Sequence, residues 1–116
     1  MPLLSLLTSA PTPPDRQQLF QRFSALLAKE LGKPESYVMV ALKTDVPMAF
    51  AGDATTPACY AELKNVGQLA DARVTALSRL LCAEIAGALG VVQDRIYIEF
   101  TNADGALWGW NGETFG

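Results

Sequence analysis

The chain contains no histidine, the side chain that most often moves protons near neutral pH and most often ligates metals. A base must therefore come from a carboxylate, a lysine or the chain's own amine. Proline in second place makes the last option concrete. An initiator methionine is commonly removed ahead of a small residue, and its removal leaves Pro2 with a free secondary amine. An α-amine titrates near 7.7–8.0, and burial or a nearby cation lowers that value. Held at the start of a core strand, such an amine is neutral at physiological pH and can act as a base. Lys33 is a candidate for the cation. It stands between Gly32 and Pro34, in the link from a predicted helix to a predicted strand, at the end of the sheet where Pro2 also lies. There it would hold an anionic substrate and depress the amine's pKa together. Taken alone, Lys33 reads equally well as a lysine stabilising a helix C-terminus, and Pro2 as an ordinary second residue.

These two residues need a frame, and the chain carries one twice. "LGKPESYVMV" from Leu31 and "LGVVQDRIYI" from Leu89 align at a spacing of 58 residues (89 − 31 = 58). Each opens on Leu-Gly, passes a short polar link and enters a stretch rich in Val, Ile and Tyr. Ahead of each lies a helical pattern. Leu19, Phe20, Phe23, Leu26, Leu27 and Leu31 recur at three- and four-residue steps, as do Val74, Leu77, Leu80, Leu81, Ile85 and Leu89. Pro13, Pro14 and Asp15 make a helix start, and Gly32 and Gly90 stand where a left-handed C-terminal cap is wanted. Strands are expected before each helix, over Pro2–Thr8 and Ala58–Asn65. In the second, Cys59, Ala61 and Leu63 alternate with Tyr60, Glu62 and Lys64.

The unit is therefore β-α-β, present twice, in a single domain over 1–116 with halves 1–57 and 58–116. The predicted class is α+β, a two-layer α/β arrangement with a four-stranded mixed sheet and two helices on one face. The bare sheet face calls for a partner subunit. Gly105, Gly109 and Gly112 break the last segment into short extended pieces around Trp108 and Phe115, and its aromatics are suited to packing on a neighbour.

Composition excludes several classes. A net charge of −3, with nine scattered basic residues and no basic stripe, argues against nucleic acid as a partner. No apolar run approaches the roughly 20 residues that span a bilayer, and "LLSLL" lacks the basic flank of a signal peptide, so a cytoplasmic protein without a membrane partner is expected. Cys59 and Cys82 are too far apart for a local metal knuckle and read as buried, reduced thiols. Neither a metal nor an organic cofactor is expected.

Several motifs in order resemble one known family. "MP" opening a strand, "LGKP" after the first helix, "MAF" with Gly52, "DRIYIEF" at Asp94–Phe100 and "GWNG" with "TFG" at the end are similar to the macrophage migration inhibitory factor and D-dopachrome tautomerase family of the tautomerase superfamily. The chain looks like a bacterial-type member. The resemblance implies a homotrimer with sheets facing a central channel, and a keto–enol tautomerase of the phenylpyruvate type. In it Pro2, exposed by removal of Met1, is the base. Lys33 binds the carboxylate of a 2-oxo acid or its enol, and Val66 contacts the substrate through its backbone. Tyr37, Tyr97, Trp108, Trp110 and Phe115 line an aromatic pocket, some of them reaching it from the neighbouring subunit. The chain departs from the animal cytokines in three places. A CxxC pair is absent around Cys59. Glu99 replaces an asparagine of the pocket wall, where it would repel an acidic substrate, raise the pKa of Pro2 or accept a hydrogen bond from Lys33. Trp108 replaces a smaller aliphatic residue. These departures keep open an alternative, a binding or signalling module with weak or vestigial tautomerase activity.

Overall fold

Residues 1–116 are described by a computed structural model. In chain order the elements are β1 (Leu3–Thr8), α1 (Arg16–Leu31), β2 (Met39–Lys43), β3 (Cys59–Val66), α2 (Asp71–Leu89), β4 (Ile96–Ala103), β5 (Gly109–Trp110) and β6 (Glu113–Thr114). Three-residue 3-10 turns precede β2, β4 and β5, at Glu35–Tyr37, Gln93–Arg95 and Gly105–Leu107. The first two are 58 residues apart (93 − 35 = 58), the spacing seen in the sequence.

α1 forms because Leu19, Phe23 and Leu27, at four-residue steps, place one buried stripe against the sheet. Its start differs slightly from the sequence expectation. Pro13 and Pro14 stand ahead of the helix, and Asp15 is the N-cap itself, its carboxylate accepting the Gln18 N–H at 3.0 Å. α2 buries Leu77, Leu81, Ile85 and Leu89 in the same way. Both helices end on a glycine in the left-handed region, Gly32 at φ 62° and Gly90 at φ 69°, a conformation that costs a residue with a Cβ.

The sheet has the order β2-β1-β3-β4. β1 runs parallel to β2 and β3 parallel to β4, whereas the central pair β1–β3 is antiparallel. Each β-α-β crossover thus joins a parallel pair, and the two units meet back to back. Alternation sorts the faces. Leu4, Leu6, Ala61 and Leu63 point to the helices and are almost fully buried, forming one core with Phe23, Leu27, Leu81 and Ile85. Residues of the other parity, Leu3, Ser5, Leu7, Tyr60, Glu62 and Lys64, lie half-buried on a face that no element of the chain covers. β5 and β6 form a separate hairpin turned by Asn111 and Gly112, both at positive φ, as a tight two-residue turn requires.

Candidate active site

The antiparallel β1–β3 pairing brings the start of β1 beside the end of β3, and α1 returns its C-terminus to the same edge. Three predicted site residues meet there. Pro2 is fully buried and already extended, its carbonyl accepting the Met39 N–H at 3.0 Å. The chain turns at Gly32, where the Lys33 N–H bonds the Ala28 carbonyl. The Lys33 ammonium then donates to the Val66 carbonyl at 2.8 Å. Lys33 therefore crosses from the helix layer to the last residue of β3 rather than pointing into solvent. The terminal amine, on Met1, donates to the Tyr37 carbonyl at 3.0 Å. Its pKa is brought down to about 6, chiefly by burial and secondarily by the positive charge of Lys33. The fold thus makes an environment in which an α-amine loses its proton readily.

One wall is aromatic. Tyr37, in the turn after Lys33, meets Trp110 edge-on at 5.3 Å between ring centroids and Phe115 edge-on at 5.8 Å. Trp110 and Phe115 stack on each other at 6.0 Å. The hairpin is tied back by the Phe115 N–H, shared between the carbonyls of Gly105 and Trp108. Gly105 has to be glycine here, because a Cβ would come within 2.8 Å of the Phe115 carbonyl oxygen. Trp108 sits half-buried at the base of this hairpin, and Trp110 remains half-exposed.

The chain does not bring Tyr97 and Glu99 to that wall. The register sets Tyr97 level with Tyr60 and Leu7, five residues along β1 from Pro2 (7 − 2 = 5), on the order of 16 Å at ~3.3 Å per residue. Tyr97 is 64% exposed and rests on Phe50, with ring centroids 5.0 Å apart. Glu99 lies on the uncovered sheet face, accepting hydrogen bonds from the Tyr60 hydroxyl at 2.8 Å and the Thr101 hydroxyl at 3.3 Å. That carboxylate pushes the Tyr60 phenol up to about 12. Within one subunit Glu99 and Lys33 are therefore not partners. A groove of about 600 Å3 between the helices is lined by Leu19, Gln18, Ala88 and the Arg22–Glu84 ion pair, and shares no residue with this site. No three of the cysteine, aspartate and glutamate side chains come together in a way that could hold a metal ion.

The family model for macrophage migration inhibitory factor matches residues 1–116, the whole chain. The chain belongs to the macrophage migration inhibitory factor family. A family homolog from Trichinella spiralis is 35% identical over 99% of this chain and 100% of its own length. The factor from Meriones unguiculatus is 33% identical, with 99% of each chain covered. Among solved structures, the macrophage migration inhibitory factor homologue from Prochlorococcus marinus superposes with a TM-score of 0.94 at 46% identity, covering 98% of this chain and 99% of that one. Membership brings the α+β tautomerase-superfamily fold with it.

Sequence reasoning missed one residue that this family member depends on structurally. In the sequence Arg95 is one of nine scattered cations and part of the "DRIYIEF" stretch, with no role marked for it. Its side chain is 12% exposed. Its guanidinium donates to the backbone carbonyls of Pro57, Phe50, Asp53 and Thr56 and lies over the Phe50 ring at 5.4 Å. The Asp53 carboxylate in turn accepts from the hydroxyls and N–H groups of Thr55 and Thr56, which hold it well below the usual carboxylate range. "DATT", an aspartate with threonines two and three residues on, is a turn signature that could have marked the loop; nothing in the sequence announces the arginine. Replacing Arg95 by alanine leaves the Thr56 and Pro57 carbonyls without their donor, while those of Phe50 and Asp53 keep each other's N–H. We expect a loss of about 2–4 kcal/mol in denaturant unfolding, with Arg95→Lys losing less. An alanine variant as stable as the wild type would show that water replaces the clamp.

Proposed function

We propose that the chain, with Met1 removed, is a keto–enol tautomerase for 2-oxo acids of the phenylpyruvate type. The observation that carries this reading is the buried N-terminal segment meeting Lys33 and Val66, in surroundings that lower the pKa of an α-amine. Loss of Met1 moves the free amine to Pro2, one residue deeper, where burial and Lys33 act on it in the same sense. Neutral Pro2 removes a proton from the carbon next to the ketone, leaving an enolate, and the proton is delivered to the enolate oxygen to give the enol. Lys33 anchors the substrate carboxylate. Tyr37, Trp110 and Phe115 stack against the substrate ring and exclude water, and Trp108 narrows the mouth.

The uncovered sheet face and the distant Tyr97 support a homotrimer in which neighbouring subunits complete each pocket. Glu99 would enter with Tyr97, and a carboxylate beside an acidic substrate slows turnover. That residue is the observation favouring the second reading, a binding or signalling module with vestigial activity. No helix of the chain is long and apolar enough to cross a membrane.

An alanine inserted between Met1 and Pro2 makes the Pro2 nitrogen an amide and leaves the rest of the fold in place. We expect it to abolish tautomerisation of phenylpyruvate, followed by ultraviolet absorbance of the enol, with processing verified by intact mass. A processed wild-type chain that leaves phenylpyruvate unchanged yet retains a specific protein partner would favour the second reading.

A further inference from the structure

We propose that Asn65 is a positioning residue for the Pro2 amine, its side-chain oxygen accepting the hydrogen that this nitrogen gains when Met1 is removed. The inference rests on the reading of Pro2 as the base. Two polar residues of the chain are buried, Thr8 and Asn65. Thr8 is satisfied, donating to the Ala58 carbonyl at 2.8 Å and accepting from the Ala10 N–H at 3.1 Å. Asn65 is 3% exposed, and its Oδ1 has no hydrogen-bond partner. Buried acceptors rarely stay unpaired, because leaving one so forfeits its solvation by water.

The register says where that acceptor lies. Leu3 pairs with Lys64, so one step further Asn65 stands opposite Pro2. Alternation puts both on the helix side of the sheet, and both are buried. Side chains directly opposed in an antiparallel pair have Cβ atoms about 4.5–5.5 Å apart. Neighbouring polar groups are engaged elsewhere. The Lys33 ammonium donates to the Val66 carbonyl. The Asn102 carboxamide, opposite Asn65 on β4, accepts the Leu69 N–H through its Oδ1 and makes no hydrogen bond to the Asn65 oxygen. While Met1 is attached, the Pro2 nitrogen is a tertiary amide with no hydrogen. Without Met1 it carries one hydrogen when neutral and two when protonated. Processing therefore supplies a donor beside an acceptor that otherwise has none.

The contact has a direction. An acceptor favours the protonated amine, so Asn65 opposes the lowering by burial and Lys33 and fixes the orientation of the nitrogen. The other ionisable groups around Pro2 are few. Tyr37 lies in the turn that leads to β2. Lys64 is on the opposite sheet face, with Glu62 3.5 Å away. Arg73 is paired with Glu30 where the helix layer meets this end of the sheet. β2 contributes Met39 and β4 contributes Thr101 and Asn102, none of them charged.

The test follows the Pro2 ring carbons by NMR against pH in processed, carbon-13-proline-labelled protein, alongside kcat/KM for phenylpyruvate over the same range. Asn65→Leu removes the acceptor and should move both midpoints down by about one pH unit. Asn65→Asp should move them up, and Asn65→Ser, which restores an oxygen, should return them toward the wild type. Should the leucine variant not fold, Asn65→Ala makes the same measurement. Midpoints unchanged in the leucine or alanine variant overturn the proposal, whatever happens to stability. The NMR arm does not depend on turnover. A Pro2 signal that shifts with Asn65 while phenylpyruvate is untouched keeps the contact and sinks the tautomerase reading instead.

Discussion

Pro2→Gly, with loss of Met1 verified by mass, is expected to lower kcat/KM for phenylpyruvate by about 10²–10³-fold, within the roughly 10²–10⁴-fold by which a positioned general base accelerates proton transfer. The variant keeps a terminal amine, so it separates the presence of an amine from its placement. Proline's ring closes off rotation about its N–Cα bond and is fully buried here, so its nitrogen is held by packing as well as by the strand. Glycine has neither the ring nor the restriction, and a primary amine at a fraying strand end samples many directions besides the productive one. The pH profile sharpens the test. The base works unprotonated, so the wild-type rate should rise with pH and level off above the amine's pKa. Burial and Lys33 lower that pKa, so the plateau should begin below the 7.7–8.0 of an ordinary α-amine. If the glycine variant turned over phenylpyruvate as fast as the wild type, Pro2 would not be the base.

How much of this could be read beforehand depends on whether a residue's role is local. The helices were legible because Leu19, Phe23 and Leu27, or Leu77, Leu81 and Ile85, repeat a spacing that only a helix turns into a face. β3 was legible from its alternation. The nearness of Lys33 to Pro2 followed from topology alone, since a parallel crossover returns the chain to the end where the first strand began. Side-chain destinations were not legible in the same way. The bond from Lys33 to the Val66 carbonyl, and that from Tyr60 to Glu99, join residues 33 and 39 positions apart, through a register no pattern states. Asn65 shows a middle case. Carrying the alternation of Cys59, Ala61 and Leu63 one step further sets a carboxamide on the apolar face, a mismatch visible in the sequence. Its meaning appears only when Pro2 is found opposite.

Lys33→Ala tests the second half of the site, and here two effects must be separated. In the proposed mechanism the ammonium holds the substrate carboxylate, and its charge adds to burial in lowering the pKa of the terminal amine. A charge-assisted hydrogen bond contributes about 1.5–3 kcal/mol, so losing the anchor should raise KM for phenylpyruvate roughly 10- to 100-fold. Losing the charge should also move the rising limb of the pH profile upward, because the protonated amine no longer faces a neighbouring cation. The two parts come apart with a methyl ester of the same substrate. The ester carries no charge for Lys33 to hold, so the KM penalty should largely vanish while the shift of the pH midpoint remains. Lys33→Arg retains the charge on a longer, planar group, and should keep the midpoint low even where it misplaces the carboxylate. Acid and ester losing equally in Lys33→Ala would mean that Lys33 supports the fold through its bond to Val66 and does not bind substrate. Unchanged thermal stability in that same variant would exclude such a structural explanation.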